Sequence, residues 1–206
     1  MSNTGILFIV SAPSGAGKTS LLKELIPNDS KLTLSVSHTT RAMRPGEQNA
    51  VHYHFTDIPA FMNLVEEGVF VEHAKVFDNY YGTSENAVRE QLAEGKDVVV
   101  EIDWQGAQQV RERFAEAVSI FVAPPSIAAL RDRLGGRGQD SDEIINRRMQ
   151  DARSELSHYA EYDYLVINDD FQQALADLGQ IVAAERLRLQ HQSRLHARAL
   201  AEMLGD

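Results

Sequence analysis

A lysine and a threonine in tandem, reached through two glycines one residue apart, carry the most specific chemistry in this chain. They close the stretch Ser11-Ala12-Pro13-Ser14-Gly15-Ala16-Gly17-Lys18-Thr19. Gly15 and Gly17 let successive amides turn inward with no Cβ in the way. Inward amides, followed by a helix N-terminus, form a cradle for an anion. Lys18 can reach the β- and γ-phosphates of a nucleoside triphosphate, and the Thr19 hydroxyl can ligate a Mg²⁺ ion bridging them. One position departs from G-x-x-x-x-G-K-[ST]. Ala12 stands where the first glycine belongs, and alanine tolerates a conventional backbone there, so the loop is a variant and not a broken site. The alternative is a glycine-rich turn that binds nothing, with Lys18 a solvated helix-start lysine. The flanks argue against it. Ile6 to Val10 has the length and β-branched content of a buried strand, and Lys18 to Leu25 has the apolar spacing of an amphipathic helix.

The elements that must position this loop follow an alternating rhythm. Lys31 to Ser37 reads as a second strand. Asp97 to Asp103 is a buried strand ending in acids, followed by a helix from Trp104 to Phe114. Val118 to Ala123 is another buried strand, stopped by Pro124-Pro125. Ser126 to Leu134 is helical, Gly135 to Asp140 is a flexible glycine loop, and a long helix opens at Ser141 or Asp142 and runs to about Tyr159. Tyr164 to Ile167 is a last strand, and a helix capped by Asp169 or Asp170 extends nearly to Leu204. Strands alternating with helices predict an α/β fold with a mostly parallel central sheet. Residues 37–84 break that rhythm with short, closely spaced strands, which predicts an inserted antiparallel subdomain. Ligands of such sheets bind at the carboxyl ends of the strands, where Ser37, Glu101, Asp103 and the phosphate loop converge.

Composition narrows the partners. The chain has 206 residues, is 43% hydrophobic and carries a net charge of −10. That charge disfavours a general nucleic-acid or anionic-membrane binder, which needs a basic surface. No run is apolar enough to span a bilayer, and the first residues lack a signal peptide's basic region, so a cytoplasmic protein is expected. The absence of cysteine excludes disulfides and thiolate metal sites. The cations are unevenly placed. Arg41 and Arg44 form a pair, and Arg131, Arg133, Arg137, Arg147, Arg148 and Arg153 a second cluster, which suits phosphate binding in defined pockets. Arg131, Arg133 and Arg153 are expected to be solvated helix charges.

The stretch Ser35-Val36-Ser37-His38-Thr39-Thr40-Arg41-Ala42-Met43-Arg44-Pro45-Gly46-Glu47, together with the phosphate loop, resembles the guanylate kinase family of P-loop nucleoside monophosphate kinases. The resemblance continues through Phe70-Val71-Glu72-His73-Ala74, Tyr80-Tyr81-Gly82-Thr83, Glu101 to Gly106, Ala123 to Ser126, Gly136-Arg137-Gly138 and Val166 to Asp170, in order along nearly the whole chain. It implies Mg²⁺-assisted transfer of the γ-phosphoryl of ATP to GMP and to dGMP, giving GDP and ADP. It also implies a P-loop NTPase three-layer fold in one domain. The core would comprise about 1–36, 85–134 and 160–206, the GMP-binding subdomain about 37–84 and a helical lid about 135–159. By position, residues Ala12 to Thr19 and Asn168 would bind ATP, with Thr19 on Mg²⁺. Ser37, Glu72, Thr83 and Asp103 would face the guanine or its approach, with Asp103 orienting Mg²⁺-bound water, arginine groups or the base, and Arg41, Arg44, Tyr53 and Tyr81 would hold the GMP phosphate. Lys18, Arg137 and Arg148 would stabilise the transferring phosphoryl group. Thr83 stands where serine is also common, and Glu101 where aspartate is common; both swaps keep the functional group.

The chemistry of those residue types agrees. Guanine presents N1–H and an exocyclic amine as donors and O6 as an acceptor. A carboxylate such as Glu72 can accept from both donors, while Ser37 or Thr83 can donate to O6. Adenine has no such donor pair and would leave the carboxylate unpaired. Taken alone, Glu72 reads equally well as a strand-edge surface acid, and Tyr53 and Tyr81 as packing residues with wet tips. Two other functions compete. A kinase for a sugar bisphosphate would share the scaffold but not the guanine-facing set. A guanylate-kinase-like interaction module would resemble the fold but tends to lose the phosphate loop, which is intact here. Substrates are therefore expected to be ATP and GMP, with no nucleic-acid or membrane partner. Self-association is left open by apolar residues at helical spacing between Ile181 and Leu204.

Overall fold

The computed structural model describes residues 4–76, 78–135 and 142–205. In chain order the elements are β1 (Leu7–Ser11), α1 (Lys18–Leu25), β2 (Leu32–Leu34), β3 (His38–Thr39), β4 (His54–Phe55), α2 (Ile58–Glu66), β5 (Phe70–Val76), β6 (Asn79–Ser84) and α3 (Glu85–Ala93). Then follow β7 (Asp97–Glu101), α4 (Trp104–Arg113), β8 (Val118–Ala123), α5 (Ile127–Gly135), α6 (Asp142–Leu156), β9 (Tyr164–Ile167), α7 (Phe171–Arg186), α8 (Leu189–Leu195) and α9 (Ala197–Leu204).

The near-continuous apolar runs of β1, β7 and β8 have no face to offer water, so they fit only a sheet covered on both sides. They form the middle of a five-stranded sheet in the order β2-β7-β1-β8-β9, and every pairing in it is parallel. Phe8, Val10, Ile120 and Val122 pack on one face with Leu21, Leu22, Leu178 and Val182. Leu7, Ile9, Val98 and Val100 pack on the other with Val88 and Val110. The phosphate loop leaves the carboxyl end of the central strand, beside the end of β7, where Val10 pairs with Glu101. Helix starts follow side-chain caps. Asp57, Ser84, Asp103 and Asp170 each accept from the amide three residues on.

The second sheet has four strands in the order β4-β3-β6-β5. The expectation of an antiparallel insert needs correction, because the sheet is mixed. β3 pairs antiparallel with β6, and β6 with β5, but β3 and β4 run parallel, His38 beside His54 and Thr39 beside Phe55. The chain between β3 and β4 is no hairpin. It makes a turn at Arg44 to Glu47 and passes through left-handed Gly46 and Ala50. It therefore brings β4 in alongside β3 in the same direction. β5 is joined to β6 with a register shift between Phe70 and Glu72. The shift leaves Phe70, Val71 and Glu72 all buried in succession, as a bulge does when it re-aims a side chain.

Two other expectations change. The strand read as Lys31 to Ser37 is a strand only over Leu32–Leu34; after a last bond from the Ser35 amide to the Val99 carbonyl, Val36 and Ser37 lead into the second sheet. The single C-terminal helix is three, broken after Arg186 and at His196. At the first break the Gln192 side chain donates to the Arg186 carbonyl, 2.7 Å away, which satisfies a helix-end acceptor without a continuing turn.

Candidate active site

The phosphate loop is shaped by its two glycines. Gly15 and Gly17 both lie in the left-handed region, at φ +91° and +96°, where any Cβ is strained. Gly17 is the N-cap of α1 and, among the described residues, no side chain caps that helix. Its first amides are thus left to an incoming anion. The Ala16 amide is turned back onto the Pro13 carbonyl at 3.0 Å. Lys18 donates to the Ile102 carbonyl at 3.1 Å, which holds its ammonium across the loop mouth. The Thr19 hydroxyl is hydrogen-bonded to a Glu101 carboxylate oxygen.

The loop forms one wall of a cavity of about 300 Å³ whose other walls carry Ser37, Tyr53, Glu72, Tyr81, Glu101, Asp103 and Glu155. The structure thus brings together residues 12–15, 17–19, 37, 53, 72, 81 and 103, which were singled out from sequence. Opposite the loop, Glu72 is only 3% exposed. The Thr83 hydroxyl donates to it at 2.6 Å, and Ser37 lies 3.1 Å from Thr83. Thr83 has one hydrogen, committed to Glu72, so Ser37 is the donor of the second bond. Burial pushes the Glu72 carboxyl up to about 7; the Thr83 bonds oppose this and the charge of Asp103 adds to it. Tyr53 and Tyr81 meet edge to face, with centroids 6.0 Å apart, and burial pushes the Tyr53 phenol up to about 12.

The predicted cations are distributed differently. Arg41 is 2.7 Å from Glu47, donates to the Ala42 carbonyl and lies over the Tyr53 ring, its guanidinium carbon 5.4 Å from the centroid. The Glu47 bond holds its pKa above the ordinary value. Glu47 also accepts from the Arg44 amide, while the Arg44 side chain is exposed. Arg148 is half-buried on α6 and makes its own contacts. Its neighbour Arg147 borders an adjoining cleft with Asp103, Trp104 and Glu155. Arg137 lies outside the described residues. Asp103 borders the cavity and caps α4, accepting from the Gly106 amide at 2.9 Å. Asn168 is buried behind the phosphate loop, its amide donating to the Ala16 carbonyl at 2.7 Å.

Two residues of this site escaped sequence reasoning. Arg133 is no solvated helix charge. It donates to the Asn168 carbonyl at 2.8 Å and approaches the Ala16 carbonyl at 3.5 Å, bracing the back of the phosphate loop. Its position on α5, next to buried Leu134, was the available signal. Glu155, on α6, lines the cavity beside the phosphate loop. Burial pushes its carboxyl up to about 7, while Lys18 and the Ser14 amide favour the ionised form. Among the described residues its Oε2 is buried without a partner. A helix-surface glutamate among several acids gave no hint of this.

Known proteins resemble this chain over nearly its whole length. A family model described as guanylate kinase matches residues 5–185. A guanylate kinase of Alkalilimnicola ehrlichii is 57% identical over 201 residues, covering 98% of this chain and 99% of its own. One from Chromohalobacter salexigens is 58% identical over 201 residues, covering 98% of this chain and 94% of its own. Among solved structures, the crystal structure of guanylate kinase from Anaplasma phagocytophilum superposes with a TM-score of 0.78 at 32% identity. It covers 98% of this chain and 95% of that one.

Proposed function

The chain belongs to the guanylate kinase family, and we propose that the cavity between the phosphate loop and Glu72 is where it works. It is an enzyme that phosphorylates GMP to GDP at the expense of ATP. The observation that carries the assignment of residues is the Ser37–Thr83–Glu72 hydrogen-bonded chain facing the phosphate loop across one cavity. In this reading residues 12–19 hold the ATP phosphates, and Asn168 with Arg133 keeps the loop in shape. Ionised Glu72 accepts from guanine N1–H and the exocyclic amine, Ser37 turns its hydroxyl to O6, and Asp103 closes the base side. Tyr53, Tyr81, Arg41 and Arg44 take the GMP phosphate. The Glu47 pair holds the Arg41 guanidinium in place while leaving its remaining N–H groups for that phosphate.

Phosphoryl transfer needs little covalent chemistry from the protein. It needs two anions aligned, charge neutralised and water excluded. Lys18 moves from the Ile102 carbonyl to the bridging phosphate region, and Arg148 and Arg137 add charge from a lid at about 135–159. That lid closes over a core (about 1–36, 85–134, 160–206) and a GMP-binding subdomain (about 37–84). Thr19 and Glu101 are adjacent hard oxygen donors at the phosphate loop, the donor set that suits Mg²⁺. When bound, the ion neutralises charge on the β- and γ-phosphates. Among the described residues no helix is long and apolar enough to cross a membrane. We assign the enzyme to the cytoplasm and to the recycling of GMP, and also of dGMP, in purine metabolism. A coupled ADP-release assay with ATP, with and without EDTA, tests this against GMP, AMP, UMP, CMP and ribose 1,5-bisphosphate. Turnover confined to guanine acceptors and lost with EDTA is expected. Turnover with the sugar phosphate instead would overturn the base-reading assignment.

A further inference from the structure

Gly106 sits in the first turn of α4, two residues past the helix start. Its backbone is not left-handed, so nothing in the local conformation asks for glycine. Helix propensity argues the other way, since alanine in a helix is favoured over glycine by about 1 kcal/mol. The reason for glycine is space. A methyl group at residue 106 would stand 2.7 Å from Glu72 Oε2, 3.2 Å from Glu72 Cδ and 3.3 Å from Ile102 Cβ. The carboxylate therefore lies close against bare helix backbone.

It has no slack with which to yield. Its other oxygen is held at 2.6 Å by Thr83, and the side chain is buried. The strand that carries it is also clamped to the same helix one turn further on. The Gln109 side-chain amide donates to the His73 carbonyl at 3.0 Å and accepts from the His73 amide at 3.1 Å. A single side chain thus satisfies both backbone groups of the residue next to Glu72, beside the register shift in β5. Gly106 sets how close the carboxylate comes to α4, and Gln109 sets where along the helix it stands.

We propose that Gly106 and Gln109 are positioning residues for base selectivity: α4, and not the second sheet alone, fixes the plane in which Glu72 meets the nucleobase. This rests on the reading that Glu72 recognises guanine. A carboxylate displaced by several tenths of an ångström can no longer accept from N1–H and the exocyclic amine together. Hypoxanthine lacks that amine, so the kcat/KM ratio for GMP over IMP reports on the lost bond.

The test is steady-state kinetics of Gly106→Ala, Gln109→Ala and Glu72→Gln with GMP and IMP, alongside melting temperatures and the KM for ATP. In folded Gly106→Ala the GMP:IMP ratio should fall about 10-fold, the value of one hydrogen bond to a charged group. The loss should appear in KM for GMP, with KM for ATP within about twofold. Gln109→Ala, which adds no bulk, should lower the ratio in the same sense by a smaller factor. If Glu72→Gln changes the ratio and folded Gly106→Ala does not, the inference is overturned. If Gly106→Ala fails to fold, an unchanged ratio in Gln109→Ala overturns it. If Glu72→Gln itself leaves the ratio unchanged, the base-reading assignment fails, and this inference with it.

Discussion

GMP should bind about tenfold more tightly at pH 8 than at pH 6 through Glu72 alone. With its carboxyl raised to about 7 by burial, Glu72 is ionised about one-tenth of the time at pH 6 and about nine-tenths at pH 8. The base donors require the ionised form, and apparent affinity scales with the competent fraction. Binding at pH 7 should accordingly release about half a proton from this group, readable by calorimetry in buffers of different ionisation enthalpy. The GMP phosphate also titrates, near pH 6 and in the same sense, so the comparison is with Glu72→Gln. The variant should keep the phosphate's share of the pH dependence and lose the rest. Stability follows the opposite trend. The folded-state value lies above the ordinary 4.5, so Glu72 contributes stability fully below about 4.5, and that contribution is lost as the pH rises through about 7. Such a rise is worth on the order of 3 kcal/mol, and Glu155 is raised in the same direction. Unliganded Glu72→Gln should therefore melt above the wild type at pH 8 and close to it at pH 5. Identical pH dependence of GMP binding in the two proteins would refute the reasoning.

Lys18→Met should lower kcat by about 10² or more, because it removes the charge nearest the transferring phosphoryl group; stopped-flow ADP release measures it. Gly17→Ala should abolish ATP protection against thermal unfolding. Its φ of +96° strains any side chain, and the new methyl would meet the Asn168 amide at 2.4 Å. Arg186→Met should destabilise the fold by about 2 to 3 kcal/mol in urea titrations while leaving kcat intact at 25 °C. Arg186 bridges Asp29 at 2.7 Å and Asp97 at 2.6 Å. Its loss leaves Asp97, 4% exposed, with the Ile6 amide as its remaining partner.

What the sequence determined by itself was local. Strand, glycine loop and helix at residues 6–25 follow from apolar runs and from backbone freedom that only glycine has, and both are properties of adjacent residues. The alternating elements specified a parallel α/β sheet because handedness and burial leave few other ways to pack them. Hydroxyl, carboxylate and guanidinium types marked Ser37, Glu72 and Arg41 as groups able to read a base and a phosphate. What the tertiary structure alone decided depends on contacts between distant segments. Glu72 reads equally well as a surface acid until the register shift in β5 buries it beside Thr83 and against α4. Arg133 and Glu155 look like helix-surface charges until the packing of α5 and α6 turns them toward the phosphate loop. The breaks in the C-terminal helix have no glycine or proline to announce them, and the first is met by the hydrogen bond from Gln192 to the Arg186 carbonyl. Periodicity reports which face of an element is apolar; which neighbour meets that face, and at what distance, is set by the closure of the whole chain.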